Sequence, residues 1–232
     1  MAIYPDFPQG AGFPSIFTIM RLFRLLGVGP RVRGDVRGVI LAPLVAAAVL
    51  LSAQGCKQNG PQFNGVNFDP IEPAPALTLA RADGSVFDLK AQRGSAVLIF
   101  FGYTHCPDVC PTTLADWKKV KRALGPDSSR VKFVFISVDP ERDTPQIAQS
   151  YVNAFDPTFI GLSGDSAQIE RAKALFHVQS SKEAIKSATQ YDVSHSASVF
   201  AVDPRNRMRL LYQFDMPPEK VTDDIKLLLR NG

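Results

Sequence analysis

Two cysteines separated by three residues form the part of this sequence with the clearest capacity for chemistry. Cys106 and Cys110 lie in the segment GYTHCPDVCP, residues 102–111, which links an apolar run to a predicted helix. Residues i and i+4 of a helical turn share one face, so the two thiols would lie close together. The unpaired N–H groups and the dipole of a helix N-terminus favour a thiolate. The pair therefore suits disulfide exchange or metal binding, and a purely structural disulfide is the third possibility.

The spacing of the pair bears on which chemistry it performs. Ordinary dithiol oxidoreductases use Cys-x-x-Cys, whereas Cys106 and Cys110 are one residue further apart. This wider gap can close as a disulfide, and it can also open to hold a metal ion. The predicted domain contains no other cysteine, which is too few for a zinc site made of cysteines alone. Two thiolates and one imidazole suit copper, because thiolates select Cu(I) and imidazole accepts either oxidation state.

The sequence offers three histidines as the imidazole ligand. His105 is adjacent to Cys106 and is expected to point out of the cysteine loop. His177 lies near a predicted helix end and is expected on the solvated surface. His195 directly precedes the apolar segment 198–202. In the predicted sheet, the loop that enters this strand faces the cysteine loop, so geometry favours His195 as the third ligand.

Two uninterrupted apolar runs predict the centre of the fold. Residues 96–101 (AVLIFF) and 131–138 (VKFVFISV) are rich in β-branched and aromatic side chains. Such runs are typical of parallel strands that are buried on both faces. Residues 111–124 between them place Leu114 and Trp117 on one face of an amphipathic helix. The three segments predict a β-α-β unit with a right-handed crossover.

The remaining elements predict an α/β thioredoxin-like fold, with a central mixed sheet flanked by helices and an N-terminal β-hairpin. Asp83-Gly84 is a two-residue hairpin signal inside residues 77–89. Downstream elements are predicted as a helix from Thr144-Pro145 to about residue 155, a helix at 166–176 capped by Asp165 or Ser166, a hairpin at 198–214 and a helix at 218–229. This order of elements, with the domain at residues 77–232, is the basis for the fold prediction.

Charge and composition argue against a nucleic-acid partner. The 232 residues have a formal net charge of +4 and 45% hydrophobic residues, which is ordinary for a globular chain. Residues 1–55 hold five Arg and two Asp, so +3 of the net charge of +4 lies outside the predicted domain. A nucleic-acid binder normally carries its basic charge on the folded domain.

Residues 1–55 are predicted to be a signal peptide. Residues 39–53 form an uncharged, apolar stretch behind an Arg-rich segment, and they are fewer than the roughly 20 apolar residues of a membrane-spanning helix. Met20 precedes the first arginines and is a possible translation start. Ala53-Gln54-Gly55-Cys56 resembles the lipobox of bacterial lipoproteins, which implies lipidation of Cys56. The alternative is an uncleaved hydrophobic anchor.

Either form of the N-terminus predicts a domain on the periplasmic side of a bacterial membrane, where disulfides persist. Residues 56–76 are rich in Gly, Pro and Asn, and they are predicted to be a flexible tether between the membrane and the domain.

Three segments carry a resemblance to a known family. Residues 100–114 (FFGYTHCPDVCPTTL), 137–145 (SVDPERDTP) and 191–204 resemble, in that order, the motifs of the Sco/SenC family of copper chaperones. The similarity spans about residues 76–230. It implies a thioredoxin-like domain that binds one copper ion, as Cu(I) or Cu(II), through two cysteines and one histidine. These ligands fall on Cys106, Cys110 and His195.

The resemblance also implies partners. Sco/SenC proteins deliver copper to subunit II of cytochrome c oxidase, or they reduce the cysteines of its dinuclear copper centre. Other periplasmic copper or thiol-redox proteins are further candidate partners. Family members often have Asp directly before the ligand histidine, whereas this chain has Ser194, and Asp192 is the nearest carboxylate that could substitute. Such a carboxylate would hold the second imidazole nitrogen and raise its basicity.

Two main functions remain open from the sequence. The chain is either a copper chaperone without turnover or a thiol-disulfide reductase in which Cys106 and Cys110 are a redox pair. Peroxide reduction on the same fold is less suited to a cysteine pair with a distant histidine. The segment 139–143 (DPERD) is expected to border the site, either as a turn that caps the next helix or as a partner contact.

Overall fold

A six-stranded mixed sheet forms the centre of the computed structural model, which describes residues 61–184, 187 and 191–231. Its strands, in spatial order, are β1 (Val66–Asn67), β10 (Met208–Tyr212), β9 (Val199–Val202), β4 (Ala96–Gly102), β5 (Val131–Ser137) and β6 (Ile160–Leu162). The strands β4, β5 and β6 are parallel, and β9 runs antiparallel to both β4 and β10. The predicted α/β thioredoxin-like sheet is therefore confirmed.

The two apolar runs form the central parallel pair. All residues of β4 are buried, and β5 is buried except for a partial exposure of Lys132. Their register runs from Ala96 opposite Val131 to Gly102 opposite Ser137. Because the strands are parallel, their carboxyl ends meet at one edge of the sheet, where open α/β sheets place their sites.

In the part of the chain that the structure describes, four α-helices accompany the sheet. They are α1 (Val109–Leu124), α2 (Pro145–Asn153), α3 (Ser166–Leu175) and α4 (Pro218–Asn231), and short 3-10 helices occupy Lys90–Gln92 and Gly125–Arg130. The Thr144 hydroxyl accepts a hydrogen bond from the Ile147 N–H, as its predicted capping role requires. Asp165 and Gln168 form a capping box at the start of α3.

Aromatic contacts show how the helices cover both faces of the sheet. Phe100 of β4 packs edge-on against Trp117 of α1, with their ring centroids 6.2 Å apart. The next residue, Phe101, points to the opposite face. It packs at 5.4 Å against Phe176, which directly follows α3. The central strands are thus buried from both sides, which explains why their sequence is continuously apolar.

Two small sheets accompany the main one among the described residues. β2 (Thr78–Ala80) and β3 (Val86–Asp88) form the predicted N-terminal hairpin, with Gly84 at a φ of +83° in its turn. β7 (Ser180–Glu183) and β8 (Asp192–His195) form a second antiparallel hairpin. This second hairpin and the strands β1 and β6 were not predicted from the sequence.

The predicted tether is wrong over part of its length. Val66 and Asn67 pair with β10, and the Ala74 N–H donates to the carbonyl of Asn206. These contacts make residues 64–74 part of the folded domain, which begins before residue 77. The signal peptide at 1–55 and Cys56 lie outside the described residues. Within the described part of the chain, none of the helices has the length and apolar character needed to cross a membrane.

A buried carboxylate attaches this N-terminal segment to the domain. Asp224 of α4 is fully buried and accepts hydrogen bonds from the backbone N–H groups of Asn64 and Gly65, at 2.9 Å each. The Asn64 side-chain amide donates a further bond of 2.9 Å to the same carboxylate. In these contacts, both oxygens of the Asp224 carboxylate accept hydrogen bonds from N–H groups.

We expect Asp224→Asn to lower the free energy of unfolding by about 1–3 kcal/mol, because an amide NH₂ would replace one buried acceptor with a donor. Urea unfolding of the full chain measures this change. Asp223→Asn is the matched control, since Asp223 is the exposed neighbour on the same helix and loses the same charge. Equal effects of the two substitutions would contradict the assignment of Asp224 as the anchor of residues 64–65.

Candidate metal centre

The structure brings together the three residues that the sequence singled out. The sulfurs of Cys106 and Cys110 and a ring nitrogen of His195 all lie within 4.8 Å of one another. Nε2 of His195 is 3.5 Å from Sγ of Cys110. Among residues 61–184, 187 and 191–231, this is the one cluster of three or more such side chains that could hold a metal ion.

The end of β4 places the two cysteines. Cys106 lies in the loop after β4, and its N–H donates to the carbonyl of Tyr103 at 3.3 Å. Cys110 is the second residue of α1 and is fully buried. A Cβ on Gly102 would lie 2.8 Å from Sγ of Cys110 and 2.7 Å from the ring of Phe135, so only glycine leaves room for this sulfur.

The two thiols have opposite electrostatic surroundings. The Cys110 thiol donates a hydrogen bond to Cys106, and this bond, with backbone N–H groups from Cys110 and Asp108, lowers the pKa of Cys106 to about 4. Donation of that proton, together with burial, raises the pKa of Cys110. The Cys110 N–H also lies 3.4 Å from Sγ of Cys106. These surroundings therefore favour a negative charge on Cys106 over one on Cys110.

His195 is oriented with one ring nitrogen toward the sulfurs. Its Nδ1 lies 3.1 Å from the carbonyl oxygen of Ser196, which can only accept a hydrogen bond. Nδ1 therefore carries the proton, and the lone pair of Nε2 faces Cys110. The rings of Phe100 and Tyr103 pack edge-on against the imidazole, at centroid distances of 5.9 Å and 5.8 Å.

Ser194, not a carboxylate, directly precedes His195, and the second imidazole nitrogen has a backbone partner, the Ser196 carbonyl. The imidazole's second nitrogen contacts this backbone oxygen rather than Asp192, which is exposed at the start of β8. The suggestion that Asp192 substitutes for the family's carboxylate is therefore wrong. A backbone acceptor carries no sequence signal, so the sequence could not reveal it.

The other two histidines lie outside the cluster. The His105 side chain is 56% exposed, and its Nδ1 is 3.1 Å from the Thr104 hydroxyl. His177 is exposed just after α3, with a φ of +54°. Both placements agree with the expectation that His105 points out of the cysteine loop and that His177 lies on the solvated surface.

A buried carboxylate behind the cysteine loop was not identified from the sequence. Asp143 is fully buried and accepts hydrogen bonds from the N–H and the hydroxyl of Thr104, at 2.9 and 2.6 Å, and from the Ser137 hydroxyl at 2.6 Å. It thereby connects the loop that carries Cys106 to the loop after β5. The sequence placed segment 139–143 near the site, but its hydrogen-bond partners depend on the register of β4 and β5.

The donor set defines what the centre can do. Two sulfurs and one imidazole nitrogen match the preferences of copper, and the adjacent sulfurs can also form a disulfide. Both cysteines are free thiols in this structure. Cys106 and His195 are partly exposed while Cys110 is buried, so a partner can reach the site from the side of Cys106 and His195.

Comparisons with known proteins agree with this geometry. The SCO1/SenC family model matches residues 72–230. A SCO2-like protein of Rickettsia prowazekii is 31% identical over 189 residues, covering 81% of this chain and 92% of the relative. BsSco, which is 22% identical with a TM-score of 0.54, is a member of the Sco family of cytochrome c oxidase assembly proteins, and the match covers 74% of this chain and 99% of that one.

Solved structures are similar over the same region. Apo Sco1 of Thermus thermophilus is 36% identical, with a TM-score of 0.67, and the match covers 73% of this chain and 99% of that one. ScoI of Bradyrhizobium japonicum, solved with copper bound, is 38% identical with a TM-score of 0.62, covering 67% and 99%. The family model covers most of the chain, and the cysteine pair and the histidine lie together in the structure. The chain therefore belongs to the SCO1/SenC family.

Proposed function

We propose that this protein is a membrane-tethered, extracytoplasmic copper chaperone that assists assembly of the copper centre in subunit II of cytochrome c oxidase. Cys106, Cys110 and His195 hold one copper ion per chain. The observation that carries the proposal is the convergence of these two sulfurs and one nitrogen within 4.8 Å. The copper bound in the related ScoI structure and the role of the Sco family in oxidase assembly support it.

The charges of the site favour capture of a copper cation. The Cys106 thiolate attracts the ion, and Cys110 gives up its proton when its sulfur becomes a ligand. His195 offers the lone pair of Nε2 without any change of tautomer. Three donors leave a coordination position open, so a thiolate of the acceptor can replace the protein's ligands one at a time.

The same pair supports a second candidate function, reduction of a partner's disulfide. The Cys106 thiolate, with its pKa of about 4, attacks one partner sulfur and releases the other as a thiolate. Cys110 then loses its proton and attacks Sγ of Cys106, which forms the Cys106–Cys110 disulfide and frees the second partner thiol. The partner gains two electrons. Because both functions use the same sulfurs, copper loading and disulfide formation exclude each other.

We also propose that Cys56 carries lipid and anchors the domain on the periplasmic side of a bacterial membrane. The apolar stretch at 39–53 followed by Ala53-Gln54-Gly55-Cys56 supports this assignment. Residues between Cys56 and the folded segment at 64–74 then form a shorter tether than the sequence alone suggested.

We expect His195→Ala to lose tightly bound copper while keeping a reversible Cys106–Cys110 disulfide, because His195 donates to the metal but is not part of the sulfur exchange. The reduced full-length chain is loaded with Cu(I) without oxygen, desalted and measured by elemental analysis. The wild type should retain one copper per chain. Thiol titration after oxidation and reduction follows the disulfide.

His105→Ala is the matched control, since His105 is exposed and lies outside the cluster, and it should retain copper like the wild type. Cys106→Ser and Cys110→Ser should lose both copper and the disulfide. Stoichiometric copper in either serine variant would refute the ligand assignment. A wild type that retains no copper but cycles its disulfide would make reduction the function.

We expect Cys110→Ala to raise the pKa of Cys106 toward the ordinary thiol value of about 8.5, because the variant removes the S–H donor to the thiolate. At about pH 6, wild-type Cys106 is mostly thiolate, whereas in the variant it would be mostly thiol. Alkylation of Cys106 at this pH should therefore slow about threefold, because the loss of thiolate outweighs the higher nucleophilicity of a thiolate with a higher pKa.

Peptide mass spectrometry distinguishes alkylation at Cys106 from that at Cys56 and Cys110. Cys56→Ala serves as the control, because it removes a cysteine outside the pair and should leave the Cys106 rate unchanged. An unchanged rate in Cys110→Ala would mean that backbone donors alone stabilise the thiolate.

A further inference from the structure

His195, the proposed third ligand, lies on a hairpin whose strands do not pair with the central sheet. His195 is the last residue of β8, whose backbone pairs only with β7 among the described strands. The two-stranded sheet has Ser180 opposite His195 at one end and Glu183 opposite Asp192 at the other. The distance between His195 and the sulfurs therefore depends on side-chain contacts that attach this hairpin to the rest of the domain.

Tyr191, which directly precedes β8, makes several of these contacts. It is buried, and its hydroxyl donates a 2.6 Å hydrogen bond to Asp139 in the loop after β5. Its carbonyl accepts a 2.9 Å bond from Nη1 of Arg142 in the same loop. The Arg142 guanidinium also lies 3.7 Å from the centre of the Tyr191 ring, within the range of a cation–π contact.

Arg142 and Asp139 are themselves fixed in place. Nε of Arg142 donates to the Asp139 carboxylate, and the two side chains are only 9% and 1% exposed. The guanidinium also lies 5.9 Å from the ring of Tyr103, the aromatic residue that packs against His195. Arg142 thus lies between the rings of Tyr191 and Tyr103, and one buried cation links the hairpin, the loop after β5 and the cysteine loop.

We propose that Asp139, Arg142 and Tyr191, here called the Tyr191 clamp, are positioning residues that hold His195 at ligand distance from the two sulfurs. This inference rests on the proposed copper function. The clamp contacts neither sulfur, so it acts on copper only through His195. Segment 139–143 is therefore more than the turn before α2, and its inward-facing side chains serve the site rather than a partner.

The chemistry of arginine is central to the clamp. A planar guanidinium can stack on a ring while its N–H groups donate to both a carboxylate and a carbonyl. The ammonium of lysine keeps the charge but cannot stack and donate in both directions from one plane. Arg142→Lys is therefore the variant that loosens the clamp without leaving Asp139 as an unpaired buried charge.

An exposed ion pair provides a matched control. Nζ of Lys182 lies 2.6 Å from Glu141, and this pair joins the same hairpin to the same loop. The two side chains are 40% and 55% exposed, so the pair is screened by solvent and contributes little. Glu141→Gln removes this connection while leaving the clamp in place.

We expect Arg142→Lys to weaken Cu(I) affinity of the full chain at least tenfold, measured by competition with a chromophoric Cu(I) chelator. In a His195→Ala background, which keeps weaker binding through two sulfurs, the same substitution should change affinity less than threefold. This non-additivity is the signature of action through His195. Equal losses in both backgrounds would show a general scaffold effect and overturn the proposal.

A second measurement needs no copper. Hydrogen exchange of the backbone amides in β7 and β8 should accelerate at least tenfold in copper-free Arg142→Lys, while exchange in β4 and β5 stays as in the wild type. Tyr191→Phe, which removes only the hydroxyl bond to Asp139, should shift both measurements in the same direction by a smaller factor. Uniform acceleration across all strands would contradict a local clamp.

The control separates failure of this inference from failure of the proposed function. Glu141→Gln should match the wild type in affinity and in exchange. If Arg142→Lys also matches the wild type while His195→Ala loses tight binding, the clamp is refuted and the copper site stands. If His195→Ala binds copper as tightly as the wild type, the proposed ligand set itself fails.

Discussion

A hydrogen bond from the Cys110 thiol to Cys106 lowers the pKa of Cys106 and raises that of Cys110, so the ionisation of one sulfur depends on the other. The bond favours a negative charge on the sulfur that a metal ion or a partner can reach, because Cys106 is partly exposed while Cys110 is buried. The rest of the sheet edge is arranged around this bond. Gly102 leaves space for Sγ of Cys110, and its carbonyl accepts a 2.8 Å bond from Val138, which holds the end of β4 against β5.

The three ligand atoms lie on two parts of the fold, the edge of the central sheet and a separate two-stranded hairpin. Both sulfurs stand at the end of a strand with a neighbour on each side, whereas the imidazole stands on a separate hairpin. Closing a disulfide needs only the two sulfurs, but binding copper with three ligands also needs the hairpin in place. In the proposed clamp, the attachment of the hairpin controls the position of the imidazole, whereas the two sulfurs keep their places at the end of β4.

Much of the fold was predictable because its central elements have strong sequence patterns. The apolar runs of β4 and β5, the amphipathic face around Trp117 and the cap at Thr144 report local preferences that the tertiary structure keeps. The strand β7 (SSKE) is polar and β1 has two residues, so neither has a periodicity to detect. Their pairing, like the anchoring of residues 64–65 by Asp224, arises from long-range hydrogen bonds that a local pattern does not encode.

A backbone carbonyl behind His195 has a different electrostatic consequence from a side-chain carboxylate in the same place. With Cys106 and Cys110 both deprotonated, a bound Cu(I) ion leaves the site with one net negative charge, and Cu(II) leaves it neutral. A carboxylate on Nδ1 would add another negative charge to a partly buried site, where charge is costly. The Ser196 carbonyl fixes the same tautomer and the same ring orientation without that charge. The orientation of the His195 ring therefore does not require a charged partner. The negative charge of the three ligand side chains comes from the two cysteines.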